Sequence, residues 1–350
     1  MIEKAQGNIL RADAEALVNT VNCVGFMGKG IALQFKKAHP DNYDAYKKAC
    51  DTGEVQPGRM FIYETGSMIN PKYIINFPTK RHWKGKSLLE DVKAGLKTLN
   101  DEVRKRNIKS IAVPPLGCGL GGLQWDVVKP LIEKTFTDLP NVKVLLFEPQ
   151  GAPDAKTMPI GTKYPKMTIA RALFIKLMHQ YNQFAYRLTL LEIQKLAYFL
   201  QEAGEPLKLK YDAGLYGPYA PNLNKVLEAL EGHYTQGYGD TQKPDVEIEL
   251  LPHAVDKADE FLAEYKDKYP LLDKVANLIE GFETPYGMEL LSSVHWVAQR
   301  DADPARNPDE AVRKIHNWNE RKRKMFRDDH VRVAWARLQE KGWLTGSGAN

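Results

Sequence analysis

Two glycine-rich stretches carry most of the chemistry this sequence offers. The first is Asn19-Thr20-Val21-Asn22-Cys23-Val24-Gly25-Phe26-Met27-Gly28-Lys29-Gly30-Ile31-Ala32. It leaves an apolar strand over residues 16–19 and opens a helix near Ile31. At such a junction backbone N–H groups and the helix dipole both favour an anion, which makes it a phosphate-binding geometry. Gly25, Gly28 and Gly30 allow positive φ and close approach of a ligand. The second is Gly117-Cys118-Gly119-Leu120-Gly121-Gly122-Leu123, which follows a buried-strand pattern at 111–116 and precedes a helix at about 125–136. One such loop is weak; two strand–loop–helix units suit a diphosphate held between them. Neither has the GxGxxG fingerprint in its usual setting or the Lys-Ser/Thr ending of a P-loop, which disfavours a Rossmann dehydrogenase and an ATPase. A third stretch, Lys80-Arg81-His82-Trp83-Lys84 with Lys86, interleaves cations with an aromatic, as suits stacking a base while tracking phosphates. By pattern alone, a solvated basic loop with Trp83 tucked into the core fits slightly better. Cys23 and Cys118 flank the loops, but with no sequence-local base they read as small packing residues. Three cysteines in all are too few and scattered for a disulfide framework or zinc site. No metal or cofactor is expected.

The elements that position these stretches follow from periodicity. Over residues 1–150, strand signals near 2–6, 60–64, 73–77 and 142–147 alternate with helical periodicity at 31–50 and 87–105. In the 87–105 helix Leu88, Val92, Leu96 and Val103 share the buried face. This alternation predicts an α/β fold, a three-layer α/β/α domain with a mixed sheet. The run from Asn76 to Lys80 comes off the end of the 73–77 strand, so it stands above the carboxyl edge of the sheet. A linker is expected at 148–154. Beyond it the chain reads as mostly helical, with helices near 170–181, 190–202, 222–231, 256–265, 271–281, 287–299, 308–317 and 330–339, and a strand within 244–251. Two domains are expected, 1–152 and 165–345; the terminal Gly346-Ser347-Gly348-Ala349-Asn350 has the composition of a tail. His179, His233, His253, His295, His316 and His330 are scattered, and nothing in this half assembles a catalytic constellation by sequence.

The formal net charge of +5 is divided unevenly: residues 1–150 carry +6, 151–350 carry −1, and 201–300 alone carry −9. The basic half suits a phosphate backbone, although a solvated basic surface explains charge alone about equally well. The acidic middle suits a basic partner or mimicry of nucleic acid. No run is long and apolar enough to span a bilayer and no signal peptide opens the chain, so a cytoplasmic location is expected.

Gly7-Asn8-Ile9-Leu10, Asp13-Ala14-Glu15-Ala16-Leu17-Val18-Asn19-Thr20-Val21-Asn22, Gly28-Lys29-Gly30-Ile31-Ala32 and Pro114-Pro115-Leu116-Gly117-Cys118-Gly119-Leu120-Gly121, in that order, closely resemble a macrodomain. Within that family, Asn76-Phe77-Pro78-Thr79-Lys80-Arg81-His82-Trp83 resembles the DarG antitoxins, whose partner toxin DarT attaches ADP-ribose to thymine in single-stranded DNA. The resemblance implies that Asn8 and Ile9 neighbour the adenine and that Asp13 accepts from its amino group, a helix-cap or turn acid being the plainer alternative. It places Asn19, Gly28, Lys29, Gly30, Ile31, Ala32, Pro115, Gly117, Cys118, Gly119, Leu120 and Gly121 along the rest of the ADP-ribose. Lys80 matches the catalytic lysine, as nucleophile or proton carrier, and Asn22 would fix the ribose hydroxyls. Arg81, His82, Trp83 and Lys84 would meet DNA. In the second half, Leu190-Leu191-Glu192-Ile193-Gln194-Lys195-Leu196-Ala197-Tyr198-Phe199-Leu200-Gln201 and Tyr216-Gly217-Pro218-Tyr219-Ala220-Pro221 resemble the SocA-like (Panacea) antitoxin domain. The function implied is an antitoxin that removes ADP-ribose from DNA and binds a DarT-type toxin directly. The alternatives are an ADP-ribose reader without hydrolysis and a protein mono-ADP-ribosyl hydrolase.

Overall fold

The computed structural model describes residues 1–149, 157–183, 187–239 and 246–344. They fall into two compact units, one of residues 1–163 with Gly239, the other of the remainder. The expected linker residues 150–154, and with them the 152 boundary, lie outside the described residues, as do the tail and the first part of the expected strand at 244–251.

The first unit is built on a six-stranded sheet: β1 (Ile2–Ala5), β2 (Ala16–Asn22), β3 (Phe61–Glu64), β4 (Tyr73–Lys80), β5 (Ser110–Val113) and β6 (Lys143–Phe147). Their spatial order is β1-β6-β5-β2-β4-β3, with every pair parallel except β3–β4, so the sheet is mixed. The inner strands β5 and β6 and the first halves of β2 and β4 read as near-continuous apolar runs because both faces are covered there, whereas the edge strands β1 and β3 do not. Ala16, Val18, Ile75 and Phe77 face a core completed by α3 (Leu89–Lys105) and α4 (Trp125–Thr137). Leu17, Ile74 and Ala112 face the opposite core with Phe35 of α1 (Gly30–Ala38). The single helix expected at 31–50 is two, α1 and α2 (Pro40–Asp51). Pro40 lacks an N–H and disfavours the helical conformation at His39, so the chain turns there and α2 starts afresh.

Phe77 crosses under α3 so closely that a Cβ on Gly95 would lie 2.2 Å from its ring. On an open helix Gly→Ala stabilises; here the fully buried ring has nowhere to move. We expect Gly95→Ala to cost about 1–3 kcal/mol, read as a lower denaturation midpoint. An unchanged or raised midpoint would show that α3 can lift off Phe77 freely.

The second unit contains α5 (Ile169–Asn182), α6 (Leu190–Ala203), α7 (Leu223–Leu230), α8 (Pro252–Leu262), α9 (Tyr269–Ile279), α10 (Pro285–Gln299), α11 (Pro308–Trp318), α12 (Glu320–Met325) and α13 (Asp328–Glu340). The Tyr-Gly-Pro-Tyr segment forms a tight hairpin of β7 (Asp212–Gly214) and β8 (Gly217–Tyr219). A short antiparallel pair, β9 (Thr235–Gln236) with β10 (Glu249–Leu250), replaces the longer strand expected.

Beneath the β7–β8 hairpin the fold gathers polar groups that the sequence scatters from Lys195 to Lys322. Lys195 of α6 is fully buried and donates to the Pro218 carbonyl at 2.7 Å; burial and the nearby Lys322 depress its pKa to about 7. Lys322 of α12, also fully buried, donates to Glu289 Oε1 of α10 (2.8 Å) and to Ser293 Oγ (2.9 Å). Arg321 reaches the same Glu289 oxygen at 2.6 Å and lays its guanidinium 4.5 Å from the Tyr216 ring centre. The Trp318 indole and the Asn319 amide donate to the Gly214 and Leu215 carbonyls at the hairpin tip.

Candidate active site

The two residues matched to catalysis come from neighbouring strands. β2 and β4 run in step from Ala16 opposite Tyr73 to Val21 opposite Pro78; the register then shifts and Asn22 stands opposite Lys80. This bulge at the carboxyl edge passes over the buried Thr79 and sets Asn22 beside Lys80. β4 continues three residues past the strand expected at 73–77, so Lys80 is fixed on the sheet rather than carried on a loop.

Lys80 Nζ donates to the Leu120 carbonyl at 2.6 Å, tying the end of β4 to the second glycine loop. Partial burial lowers its pKa below that of an ordinary lysine. Leu120 also faces the first loop, its Cδ1 lying 3.6 Å from where a Cβ on Gly30 would stand. The two glycine loops and the lysine thus converge on one patch of the sheet edge.

Asn22 is buried, and its side chain shapes the first loop. Its Oδ1 accepts from the N–H groups of Val24 (3.0 Å) and Phe26 (3.3 Å), and its Nδ2 donates to the Phe26 carbonyl at 2.5 Å. The hydroxyl of the fully buried Tyr46 donates to the Asn22 carbonyl at 2.6 Å. The carboxamide expected against a ribose also braces the loop. Gly25 and Gly30 adopt positive φ (72° and 58°), whereas Gly28 does not and lies buried within the loop. Helix α1 begins at Gly30, Ile31 and Ala32 form its first turn, and no side chain caps it at Lys29. The Gly30 N–H meets the carbonyl of Gly239 at 2.7 Å.

In the second loop, Cys118 N–H donates to Pro115 O, Leu123 N–H to Gly117 O and Ser87 N–H to Gly121 O. A Cβ on Gly121 would fall 2.3 Å from the Gly117 carbonyl oxygen, so this turn requires glycine, while the space beside Gly119 is open. Burial pushes the Cys23 and Cys118 thiols up to about 11, leaving both as neutral packing groups at neutral pH.

At the far end, Asn8 caps the short turn Ile9–Arg11, its Oδ1 accepting from the Leu10 N–H at 2.9 Å, and Ile9 is buried. Asp13 is exposed and accepts from Asn70 Nδ2 at 2.7 Å. Asn19, expected along the ligand, is instead sealed in the core. Its Nδ2 donates to Asn76 Oδ1 (3.0 Å), and Asn76 donates in turn to Asn42 Oδ1 on α2 (2.7 Å); all three are fully buried. With no surface exposed, Asn19 supports the strands.

The basic run divides its work. Arg81 forks onto the buried Asp91 through Nε (3.1 Å) and Nη2 (3.0 Å) and anchors the loop. Trp83 is not tucked into the core: it is 39% exposed. His82 stacks on it (5.5 Å between ring centres) and the Lys84 amine lies 5.0 Å from its ring centre. Phe26 of the first loop meets it at 5.2 Å. Phe26 and Tyr46 escape sequence reasoning. A large apolar residue inside a glycine loop is a visible signal for the first, while nothing local marks the second.

A family model for the macro domain matches residues 18–132. The DNA ADP-ribosyl glycohydrolase of Thermus aquaticus is 47% identical over 345 residues, 98% of this chain and 94% of that protein. The chain belongs to the DNA ADP-ribosyl glycohydrolase family. Another of its relatives is a DNA ADP-ribosyl transferase–DNA ADP-ribosyl glycohydrolase fusion protein of Thermosipho africanus, 34% identical over 171 residues, 44% of each chain. Among solved structures, the macrodomain of Mycobacterium tuberculosis DarG is 53% identical over 43% of this chain and 99% of that one, with a TM-score of 0.43. In this DNA ADP-ribosyl glycohydrolase family member, relatedness extends through both units, because the Thermus relative is matched over nearly its whole length. No helix among the described residues is long and apolar enough to cross a membrane.

Proposed function

We propose that this protein removes ADP-ribose from thymine bases of single-stranded DNA, reversing a DarT-type toxin, and that the helical unit binds and blocks the same toxin. The observation that carries the first part is Lys80: an amine with a depressed pKa, held at the meeting point of two glycine loops, in a chain of this family. The diphosphate lies along the loops at Gly28–Ile31 and Gly117–Gly121, and the distal ribose reaches the sheet edge at Lys80. Breaking the bond from that ribose to the base develops positive charge at the anomeric carbon, so orientation and a neutral, nucleophilic or proton-carrying amine are what the site must supply. Asn22 contributes by fixing the loop that holds the sugar.

The pairing with a transferase rests on the Thermosipho fusion, in which both activities share one chain. The decisive experiment follows an oligonucleotide carrying ADP-ribosyl-thymine. Conversion to unmodified DNA with release of ADP-ribose is expected. Tight binding of ADP-ribose without release would make the protein a reader, and release from a modified protein but not from DNA would make it a protein mono-ADP-ribosyl hydrolase. For the second part, full-length protein made inactive at Lys80 should still form a complex with the toxin and suppress its activity; absence of a complex would remove the inhibitory role.

A further inference from the structure

We infer that Phe26 and Trp83 form one stacking platform for the nucleobase next to the modified thymine, so that the site reads a strand rather than a single nucleoside. The inference rests on the proposed DNA substrate, but the platform is argued from its own geometry. The rings belong to different segments, Phe26 to the first glycine loop and Trp83 to the loop after β4, yet their centres are 5.2 Å apart. Both remain substantially exposed, as does Val24 two residues before Phe26. Each ring buries part of its surface against the other and leaves about two-fifths open, the share a nucleobase could cover. Phe26 is held at its N–H and its carbonyl by the single carboxamide of Asn22, itself held by Tyr46. Trp83 is held by the Arg81–Asp91 fork two residues before it and by the turn in which Lys84 N–H donates to His82 Nδ1 at 3.2 Å. Two apolar rings set in advance, with the Lys84 amine over one of them, combine a π-surface with a cation for the phosphate that follows. The platform adjoins the patch where Lys80 and the two glycine loops converge, so the modified base and its neighbour are served by adjoining sites.

The test compares kcat/KM for an ADP-ribosylated single-stranded oligonucleotide with that for ADP-ribosyl-thymidine, which has no neighbouring base. Trp83→Ala and Phe26→Ala are each expected to reduce the oligonucleotide-over-nucleoside ratio by about 5- to 150-fold, the range for one stacked base. Trp83→Phe should restore most of it. Replacing the neighbouring nucleotides by abasic sites should lower the wild-type ratio by a similar factor, with little further loss on adding Trp83→Ala. An unchanged ratio in both alanine variants, or loss from the abasic substrate and the variant that simply multiply, overturns the platform. Binding of an unmodified thymidine pentanucleotide, weakened by Trp83→Ala, reads the platform even if no glycohydrolase activity exists, so the two ideas fail separately.

Discussion

Lys80→Ala lowers the single-turnover release of ADP-ribose from modified DNA by about 1,000-fold, the scale of a lost proton carrier or nucleophile. ADP-ribose binding, which depends on the loops, persists. The more telling variant is Lys80→Arg. It keeps a cation and a donor that can reach the Leu120 carbonyl, but a guanidinium does not deprotonate in the working range. If the charge of Lys80 is what matters, Lys80→Arg retains most of the rate; if a neutral amine is needed, it is as inactive as alanine, and we expect the latter. The pH profile gives an independent check. Because burial depresses the Lys80 pKa, the neutral form accumulates as pH rises through that lowered value. The rate should therefore climb with pH and level off below about 10.4, where an ordinary lysine would still be half protonated. A profile that falls with pH across this range would assign the work to a charged lysine instead.

Glu289→Leu destabilises the helical unit by about 3–5 kcal/mol, the cost of leaving a buried charge unpaired. Lys322 is fully enclosed and has Glu289 as its carboxylate partner, with Lys195 close enough to depress through its charge. Removing the carboxylate takes away a countercharge that acts on both buried amines. Arg321 also loses a partner, but its side chain is about one-third exposed and water takes over. The assignment predicts its own rescue: Lys322→Met in the Glu289→Leu background returns most of the stability, since apolar replacement of a whole buried pair is close to neutral. Chemical denaturation of the full chain reads both effects, and unaltered ADP-ribose binding confirms that the first unit is intact. A loss under about 1 kcal/mol, the scale of a surface pair, would mean that the cluster admits water.

Much of this molecule was legible in its sequence, and the misses share a cause. The strand–glycine loop–helix units were visible because periodicity and glycine act locally. The break at Pro40 was also written locally and was overridden by the apolar periodicity running across it. Other features were invisible because they exist only between distant segments. The shift that pairs Asn22 with Lys80 depends on how β2 lies against β4. The Arg81–Asp91 fork gives a residue that reads as a nucleic-acid contact a structural role as a loop anchor as well. Lys195, Glu289 and Lys322 each look like surface charges on amphipathic helices until α6, α10 and α12 come together. The motif containing Asn19 was correctly seen, but its spacing could not separate an amide that faces a ligand from one that faces Asn76.

That last amide has a bearing on how the two strands find each other. Apolar residues on β2 and β4 are near-interchangeable, and a sheet of them has little to choose between one alignment and the next. Asn19, Asn76 and Asn42 remove that freedom. A slip of one position would turn Asn76 to the opposite face and strand three amides in a dry interior, a penalty no exchange of aliphatic contacts offsets. The asparagines thus work as a key cut into the middle of the sheet. Three residues beyond Asn19 and four beyond Asn76 stand Asn22 and Lys80, so the alignment of the reactive edge is decided well inside the fold.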